Sequence, residues 1–291
     1  MTERQTLEST AILFPGQGVG DAIDAGVVRE LRPDLAELAT QLVGVDPLER
    51  LGQGTGFDQP AIYCASIAAF ERLGRPRSSL YAGHSLGEVA ALAAAGAVDD
   101  LDGLRIAAAR GRLMQEAARA AAPGGMLAVG GDRDEALALA DRFGLALANE
   151  NSPGQYVLTG PEPGIDAARS GARELGLRAK RLSVTGAFHS PAMEPALAPL
   201  RAELAEVDFR VTDATVISSV SGAPFEDDPR ELLVAALVSP VCWVAVLERL
   251  HADGARSFLD AGPGKVLAGL VRRTLDDVEA IVGDRLEVAH A

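Results

Sequence analysis

A serine flanked by glycines, in the sequence GHSLG at residues 83–87, is the strongest chemical feature of the chain. Ser85 follows a predicted strand at residues 79–83 (SLYAG) and precedes an Ala-rich predicted helix at residues 86–95. In that context the glycines permit a tight turn that exposes the serine hydroxyl, and helix N–H groups beside it stabilise negative charge. A plain structural turn is the alternative for so short a pattern, but the strand–helix context favours a nucleophile.

A nucleophilic serine needs a base, and the sequence offers four histidines. His84 adjoins Ser85, so its side chain is expected to diverge from the serine and to pack or cap the helix. His251 lies in a predicted helix and His290 in the C-terminal tail, where a packing or surface role is expected. His189 lies in the loop sequence GAFHSP and is free to point into a cleft, so we predict that it is the base.

Composition excludes several classes of function. The chain has 291 residues, of which 48% are hydrophobic, and 41 acidic against 27 basic side chains give a net charge of −14. Such a chain buries a core, and its acidic surface disfavours binding to nucleic acid or to anionic membranes. Cys64 and Cys242 lack CxxC spacing and no HExxH occurs, so we expect neither a disulfide framework nor a metal site.

The termini and the hydrophobic runs predict a cytoplasmic protein. The first ten residues, MTERQTLEST, lack the apolar segment of a secretory signal. The longest run of small or apolar residues, 89–98, is far shorter than the ~20 residues needed to cross a bilayer.

Strands and helices alternate along both ends of the chain, which predicts an α/β fold with a mainly parallel sheet and helices on both faces. Strands are predicted at residues 10–14, 79–83, 215–219 and 257–260. Helices are predicted at 59–73, 86–95 and 100–121 (with Asp99 or Asp100 as N-cap), from about 191, near 231 and 241, and from 264. We predict that residues 1–122 and 187–291 form this α/β-hydrolase-like body.

A different pattern fills the middle of the chain, between two glycine-containing segments that suit linkers. Strands are predicted at residues 125–130, 145–149, 155–160 and 178–183, with helices at 132–143 and 161–175. The order β-α-β-β-α-β is that of a ferredoxin-like unit. We therefore predict that residues 123–186 form a small ferredoxin-like subdomain inserted into the larger body.

Five motifs, in order along nearly the whole chain, resemble those of malonyl-CoA:acyl carrier protein transacylases and of the acyltransferase domains of polyketide synthases. The discrete enzymes, including those that serve a polyketide synthase in trans, are the nearest match. The motifs are FPGQG at 14–18, GHSLGE at 83–88, RGRLMQ at 110–115, NSPGQ at 151–155 and GPGKVL at 262–267. Together the five are highly specific, although any one of them alone is not.

The resemblance implies a role for each matching residue in acyl transfer. Ser85 would become acylated, and His189 would act first as general base and then as general acid. The backbone N–H groups of Gln17 and Leu86 would form an oxyanion hole. In this family a backbone carbonyl orients the histidine, and the matching segment, PVCW, assigns that carbonyl to Cys242.

The resemblance also implies a substrate with a free carboxylate. Arg110 matches the family's substrate arginine, whose guanidinium pairs with a carboxylate in a bidentate way and selects malonyl over acetyl. The alternative for this residue is an ion pair with a surface glutamate of its own helix. Phe188 matches an aromatic residue of malonyl-selective members and would oppose an α-methyl branch by about 1–3 kcal/mol. Three further substrate-binding residues are implied, namely Met114, Asn151 and His84.

The implied reaction is a ping-pong transfer of a malonyl group from malonyl-CoA, the acyl donor, to the phosphopantetheine thiol of an acyl carrier protein. It would serve fatty acid or polyketide biosynthesis and needs no bound cofactor. Three alternatives are a proofreading acyl hydrolase, transfer of an unusual acyl group between two carrier proteins, and a non-enzymatic docking homologue. Residues 19–21 (VGD) depart from the family's Ser-Gln after FPGQG, which favours a specialised pathway.

The charge of −14 also bears on the carrier protein. Acyl carrier proteins are acidic, so one would be repelled unless a local basic surface receives it. Five basic residues in the predicted small subdomain could form that surface, although a solvated helix face explains them equally well. They are Arg169, Arg173, Arg178, Lys180 and Arg181.

Overall fold

Ten strands, eleven α-helices and three short 3-10 helices form the regular structure of the part that the computed structural model describes, residues 9–226 and 228–283. The strands are β1 (Thr10–Phe14), β2 (Leu80–Gly83), β3 (Gly124–Gly130), β4 (Ala146–Ser152), β5 (Gln155–Pro161), β6 (Arg178–Arg181), β7 (Thr215–Ile217), β8 (Val241–Cys242), β9 (Ser257–Asp260) and β10 (Glu279–Val282). The helices are α1 (Ala25–Leu31), α2 (Pro33–Val43), α3 (Thr55–Arg72), α4 (Gly87–Ala95), α5 (Asp100–Ala120), α6 (Arg133–Arg142), α7 (Glu162–Glu174), α8 (Leu197–Ala205), α9 (Arg230–Ala235), α10 (Trp243–Ala252) and α11 (Val266–Thr274).

The larger sheet is parallel throughout, in the order β10-β9-β1-β2-β7. Its central strands β1 and β2 are fully buried and almost wholly apolar, as expected of parallel strands covered on both faces. One apolar cluster packs α3, α4 and α5 against the sheet, and a second packs α10 and α11 against it. The predicted α/β fold with a parallel sheet is confirmed.

The α4–α5 pair carries the residues of most interest. Helix α4 is short and consists largely of alanine, and its first seven residues are buried between the sheet and α5. Helix α5 begins after Asp99, whose carboxylate accepts a hydrogen bond from the Leu101 amide at 2.9 Å. Asp99 is thus the N-cap, one of the two residues proposed for that role.

The smaller sheet has the order β6-β3-β5-β4-β8. Its first four strands are antiparallel, and α6 and α7 cover one face with an apolar cluster that includes Leu127, Leu158 and Ile165. The order of elements from β3 to β6 is the predicted strand-helix-strand-strand-helix-strand. The fifth strand, β8, pairs parallel to β4 and comes from outside residues 123–186.

Several predicted boundaries differ from the observed ones by a few residues, and four elements were not predicted at all. The helix predicted near residue 241 is α10, which begins at Trp243, directly after the short strand Val241–Cys242. The helix expected from residue 191 starts as a 3-10 turn, Pro191–Ala196. Helices α1 and α2 and strands β8 and β10 were missed, although α2 has proline at its start and a left-handed glycine at its end. No helix in the described part is long and apolar enough to cross a membrane.

Candidate active site

Ser85 occupies a sharp turn between the buried strand β2 and the helix α4. Its φ of 54° is left-handed, which is rare for a residue with a side chain and typical of strained functional turns. Both glycines of the motif are required here, since a Cβ on Gly83 would overlap the backbone of Gly87 and a Cβ on Gly87 would overlap the Phe14 carbonyl. The turn leaves Ser85 partly exposed, so its hydroxyl can meet a substrate.

His189 is the histidine that the fold brings to the serine. Its Nε2 lies 3.0 Å from Ser85 Oγ, within hydrogen-bonding distance, although 104 residues separate the two in sequence. His84 points elsewhere, as expected, and bonds to Asn151. His251 lies in α10, and His290 lies outside the described residues.

Two backbone carbonyls hold the imidazole of His189. Its Nδ1 lies 2.8 Å from the Ala236 oxygen and 3.1 Å from the Ser239 oxygen. Since carbonyls only accept hydrogen bonds, Nδ1 carries the proton, and Nε2 is left with the lone pair that a base needs. Helix α9 ends just before Ala236, and Pro240 has no amide to cap that carbonyl, so it is available to the histidine.

The assignment of this orienting carbonyl to Cys242 was wrong. Cys242 lies in β8, where its amide donates to the Ser219 oxygen at 2.7 Å and its backbone pairs with Glu150. The carbonyls that orient His189 come three to six residues earlier, from the turn that follows α9. A backbone carbonyl does orient the histidine, but its position depends on where that helix ends.

The surroundings of His189 keep its imidazole neutral. Only 6% of the residue is exposed, and burial, the charge of Arg110 and the neighbouring His84 together lower the pKa of His189 to about 3. An imidazole that is unprotonated at neutral pH can accept the Ser85 proton at once.

The loop after β1 lies against the start of α4. The predicted oxyanion hole needs this contact, because one of its amides, that of Gln17, belongs to the loop and the other, that of Leu86, to the start of the helix. A Cβ on Gly16 would stand 2.5 Å from the His84 carbonyl, so the two backbone segments are in direct contact. Leu86 is the N-cap of α4, and its amide therefore has no acceptor within the helix. Gln17 follows Gly16 in that loop, and its side-chain amide lies 3.4 Å from Asp58 Oδ2.

Arg110 reaches the nucleophile from α5. Its Nη2 donates to Ser85 Oγ at 3.0 Å, and only 4% of the residue is exposed. No carboxylate in the described part of the chain forms a salt bridge with it, so the alternative of a surface ion pair on its own helix is wrong. Burial lowers the pKa of Arg110 to about 10, which leaves the guanidinium charged at neutral pH.

Gln59, which the sequence analysis missed, holds the other side of this guanidinium. Its Oε1 accepts from Arg110 Nη1 at 2.7 Å, and its Nε2 donates to Thr55 Oγ1 at 2.8 Å and contacts the Met114 sulfur at 3.3 Å. Gln59 is fully buried in α3. The sequence feature that could have identified Gln59 is its position as a polar residue on the buried face of an apolar helix, because a buried polar group needs a hydrogen-bond partner.

Two other predicted substrate residues adjoin the Ser85–His189 pair, since Phe188 precedes His189 in the chain and Asn151 contacts the residue before Ser85. Phe188 is buried, and a Cβ on Gly186 would lie 2.9 Å from its ring. Asn151 Oδ1 lies 2.8 Å from His84 Nε2, and the imidazole packs against Trp243 with the ring centroids 5.3 Å apart. The hairpin between β4 and β5 therefore contacts the segment that carries Ser85.

The five basic residues proposed for docking do not form one surface. Along β6 the side chains alternate, and Arg181 points to the same side as Leu127, where α7 supplies Glu162 and Asp166 as its ion-pair partners. Arg178 and Lys180 point to the opposite side and are exposed. Arg169 and Arg173 lie on α7.

A groove of about 540 Å³ lies beside Arg178. It is lined by the turn after β3, the β4–β5 hairpin, the segment before β6, and Arg273 at the end of α11. Arg273 Nη1 donates to Gln155 Oε1 at 2.7 Å, so the groove joins the small sheet to a helix of the larger body. Two guanidinium groups thus flank one groove.

Comparisons with known proteins show the family of the chain. The sequence matches the family described as "Acyl transferase domain" over residues 33–287. It is 33% identical over 292 residues to the malonyl CoA-acyl carrier protein transacylase of Escherichia coli K12, which covers 93% of this chain and 94% of that protein. It is 39% identical over 290 residues to the polyketide biosynthesis protein ThaF of Burkholderia thailandensis.

The ThaF match covers 91% of this chain but only 24% of that protein, so the chain corresponds to about a quarter of it. Among solved structures, the malonyl-CoA:acyl carrier protein transacylase of Xanthomonas oryzae superposes with a TM-score of 0.85 at 32% identity. That match covers 96% of this chain and 95% of the other. The chain therefore belongs to the acyl transferase domain family and is an acyltransferase.

Proposed function

We propose that the protein transfers a malonyl group from malonyl-CoA to the phosphopantetheine thiol of an acyl carrier protein, in fatty acid or polyketide biosynthesis. The observation that carries this proposal is Arg110, a buried cation 3.0 Å from the nucleophile Ser85 with no ion-paired carboxylate in the described part of the chain. An acyl group with a free carboxylate would supply the missing partner. The names of the relatives support the same donor and acceptor.

The first half-reaction would form an acyl-enzyme. Ser85 Oγ attacks the thioester carbon while His189 Nε2 takes the hydroxyl proton, and the neutral imidazole is suited to this step. The charge that develops on the thioester oxygen would be held by the amides of Gln17 and Leu86, each donor typically stabilising the transition state by about 3 kcal/mol. The C–S bond then breaks, the CoA sulfur takes the proton from Nε2, and a malonyl-serine ester remains.

The second half-reaction would reverse these roles with a different thiol. The phosphopantetheine sulfur attacks the ester carbon and gives its proton to His189 Nε2, which returns it to Ser85 Oγ as the ester C–O bond breaks. No step requires a metal or a redox group, and the described residues contain no cluster of three or more potential metal ligands. A CoA thioester and a carrier protein as substrates support the cytoplasmic location expected from the sequence.

The proposal includes the two-part architecture. Residues 1–122 and 187–291 would form the α/β-hydrolase-like body that holds the nucleophile and the base. Residues 123–186 would form a ferredoxin-like subdomain, supported by the strand order β6-β3-β5-β4 and by two helices on one face. The pairing of β8 with β4 ties this subdomain to the segment that orients His189.

Mass spectrometry of the intact protein tests the proposed donor. After incubation with an equimolar mixture of acetyl-, malonyl- and methylmalonyl-CoA, we expect the added mass to be that of one malonyl group, located on Ser85 by peptide mapping. Addition of an acyl carrier protein should then remove it and label the carrier. Preferential labelling by acetyl-CoA would contradict the proposal, and release as free acid at the same rate without the carrier would favour the hydrolase.

For the carrier protein we propose a docking surface formed by Arg178 and the exposed Lys180, two of the five basic residues of the cluster, together with Arg273. Arg178 and Arg273 border a groove whose wall, the β4–β5 hairpin, continues to Asn151 beside the nucleophile segment. A phosphopantetheine arm on an acidic carrier docked there would follow the hairpin toward Ser85. Arg181 is excluded because Glu162 and Asp166 already neutralise it.

Charge reversal distinguishes this surface from the rest of the basic cluster. We expect Arg178→Glu and Arg273→Glu each to raise the KM for the carrier protein about tenfold, since a rim charge acts mainly on association, and to leave acylation by malonyl-CoA unchanged. Arg173→Glu, on the other side of the small sheet, is the matched control and should change neither half-reaction. Equal effects of all three substitutions, or a slowed acylation, would rule out the surface.

A further inference from the structure

Glu88 is a second buried charged group near the nucleophile, and the mechanism above does not use it. It lies in the first turn of α4, three residues after Ser85, with only 1% of the residue exposed. One carboxylate oxygen accepts from the Ser219 amide at 2.6 Å and from Ser218 Oγ at 3.2 Å. These bonds fix the carboxyl group between α4 and the end of β7.

Arg110 is the buried cation whose charge acts on this carboxyl group. Both residues adjoin Ser85, since Glu88 follows it by three residues in the first turn of α4 and Arg110 Nη2 lies 3.0 Å from Ser85 Oγ. Helix α5, which carries it, packs directly against α4, and the charges of Glu88 and Arg110 stabilise each other. The guanidinium hydrogen bonds go to neutral groups, the oxygens of Ser85 and Gln59. In the free enzyme Glu88 therefore supplies a negative charge to Arg110 without occupying its hydrogen-bonding edge.

The protonation of Glu88 is balanced near neutrality. Burial raises the pKa of Glu88 to about 7, against the opposing effects of the Ser219 amide and of the Arg110 charge. The other elements packed on α4 present few titratable groups on their buried faces: Tyr63 and Cys64 from α3 and Tyr81 from β2. Burial raises the pKa of Tyr63 and of Cys64 well above neutrality, so both stay uncharged. Strands β1 and β7 contain no titratable side chain.

We propose that Glu88 is a specificity-determining residue that shares Arg110 with the acyl carboxylate and takes up a proton from solvent when that carboxylate binds. The proposal rests on the proposed function, in that it requires a carboxylated acyl group. Two anions beside one cation in a buried site repel each other, and protonation of Glu88 removes one of them. The Ser219 amide and the Ser218 hydroxyl can still donate to the carbonyl oxygen of the neutral acid.

Carboxylate binding and protonation of Glu88 are coupled, and this coupling fixes the direction in which malonyl-CoA affinity changes with pH. Because the bound carboxylate raises the pKa of Glu88, the protonated enzyme binds a malonyl group more tightly than the ionised one does. Affinity for malonyl-CoA is therefore greatest below pH 7 and falls as the pH rises above it, by up to about tenfold per pH unit. Acetyl-CoA carries no acyl carboxylate, so its affinity should show no such dependence on Glu88. Discharge of the malonyl group to the carrier would release the proton again.

Binding measured by calorimetry on the Ser85→Ala protein, which cannot be acylated, tests the proposal. Between about pH 6.5 and 8.5 we expect the ratio of the Kd for malonyl-CoA to that for acetyl-CoA to rise at least about threefold. Dividing by the Kd for acetyl-CoA removes the effect of titration of the CoA phosphates, because both ligands carry the same phosphates. Adding Glu88→Gln, which keeps an acceptor oxygen for Ser219, should make the ratio independent of pH. Buffers of different ionisation enthalpy should show proton uptake with malonyl-CoA that Glu88→Gln abolishes.

The controls separate this proposal from others. Glu203→Gln removes a surface carboxylate, changes the net charge equally, and should leave the pH dependence intact. A ratio that still rises with pH in the Glu88→Gln protein, or proton uptake that persists there, would overturn the proposal. Failure of the proposed function is a different result, because the wild-type protein would then form no malonyl ester at any pH.

Discussion

Replacing Ser85 by alanine is expected to abolish the malonyl ester and to lower malonyl transfer by about 10⁴-fold or more. The alanine removes the atom that forms the covalent bond, and no other hydroxyl in the described structure shares its contacts with His189 Nε2 and Arg110 Nη2. The measurement is the label retained on protein after incubation with radiolabelled malonyl-CoA. Residual transfer would come from the binding and oxyanion groups that remain.

The serine and the histidine should behave as one unit. Each residue acts in catalysis only through the 3.0 Å contact between them. His189→Ala alone should therefore lower the rate of malonyl transfer about as much as Ser85→Ala does, and the double variant should lower it little further. Ser170→Ala removes an exposed hydroxyl that bonds its own helix and is the matched control, with activity expected to be unchanged. A Ser85→Ala protein that still became labelled would refute the covalent mechanism.

The nucleophile could be predicted from sequence because every determinant of its turn is local. The glycines of the motif, the strand before it and the alanine-rich helix after it lie within about fifteen residues, and the steric contacts of Gly83 and Gly87 are among those same residues and the end of β1. His189 was chosen by elimination among four histidines, and the fold alone shows why it serves. Its left-handed φ of 57° and two carbonyl acceptors direct the ring toward the serine.

The errors in the site concern features that depend on long-range packing. Which carbonyl orients His189 depends on the last turn of α9 and on a proline that leaves the Ala236 oxygen uncapped. The five basic residues do not form a single surface because successive side chains of a strand point to opposite faces of the sheet. Arg181 therefore lies on the opposite face from Arg178 and Lys180. Gln59 was overlooked because its partner, Arg110, is 51 residues away on another helix.

Replacing Arg110 by alanine should change which acyl group the enzyme accepts. In the native protein the guanidinium is desolvated, so losing the partner of a buried substrate carboxylate should cost roughly 2–5 kcal/mol, or a loss of about 30- to 4,000-fold in kcat/KM for malonyl-CoA. Acetyl-CoA needs no cation, and its kcat/KM should fall far less or rise. Arg110→Lys keeps the charge but not the fork, and we expect an intermediate loss for malonyl-CoA.

The prediction concerns the ratio of kcat/KM for malonyl-CoA to kcat/KM for acetyl-CoA, and this ratio does not depend on how much of the variant protein is folded. Removing Arg110 leaves the Glu88 carboxyl without its cation and removes the hydrogen bond to Gln59. Both losses destabilise the fold, so we expect a fraction of the variant molecules to be unfolded. Unfolding lowers the rates with malonyl-CoA and acetyl-CoA equally, however, and leaves their ratio untouched. Arg112→Ala, on the exposed face of the same helix where the arginine pairs with Glu116 and Glu203, should leave the ratio at its native value. An Arg110→Ala protein that kept the native preference for malonyl-CoA would show that another group recognises the carboxylate, and the proposed function would lose its main support.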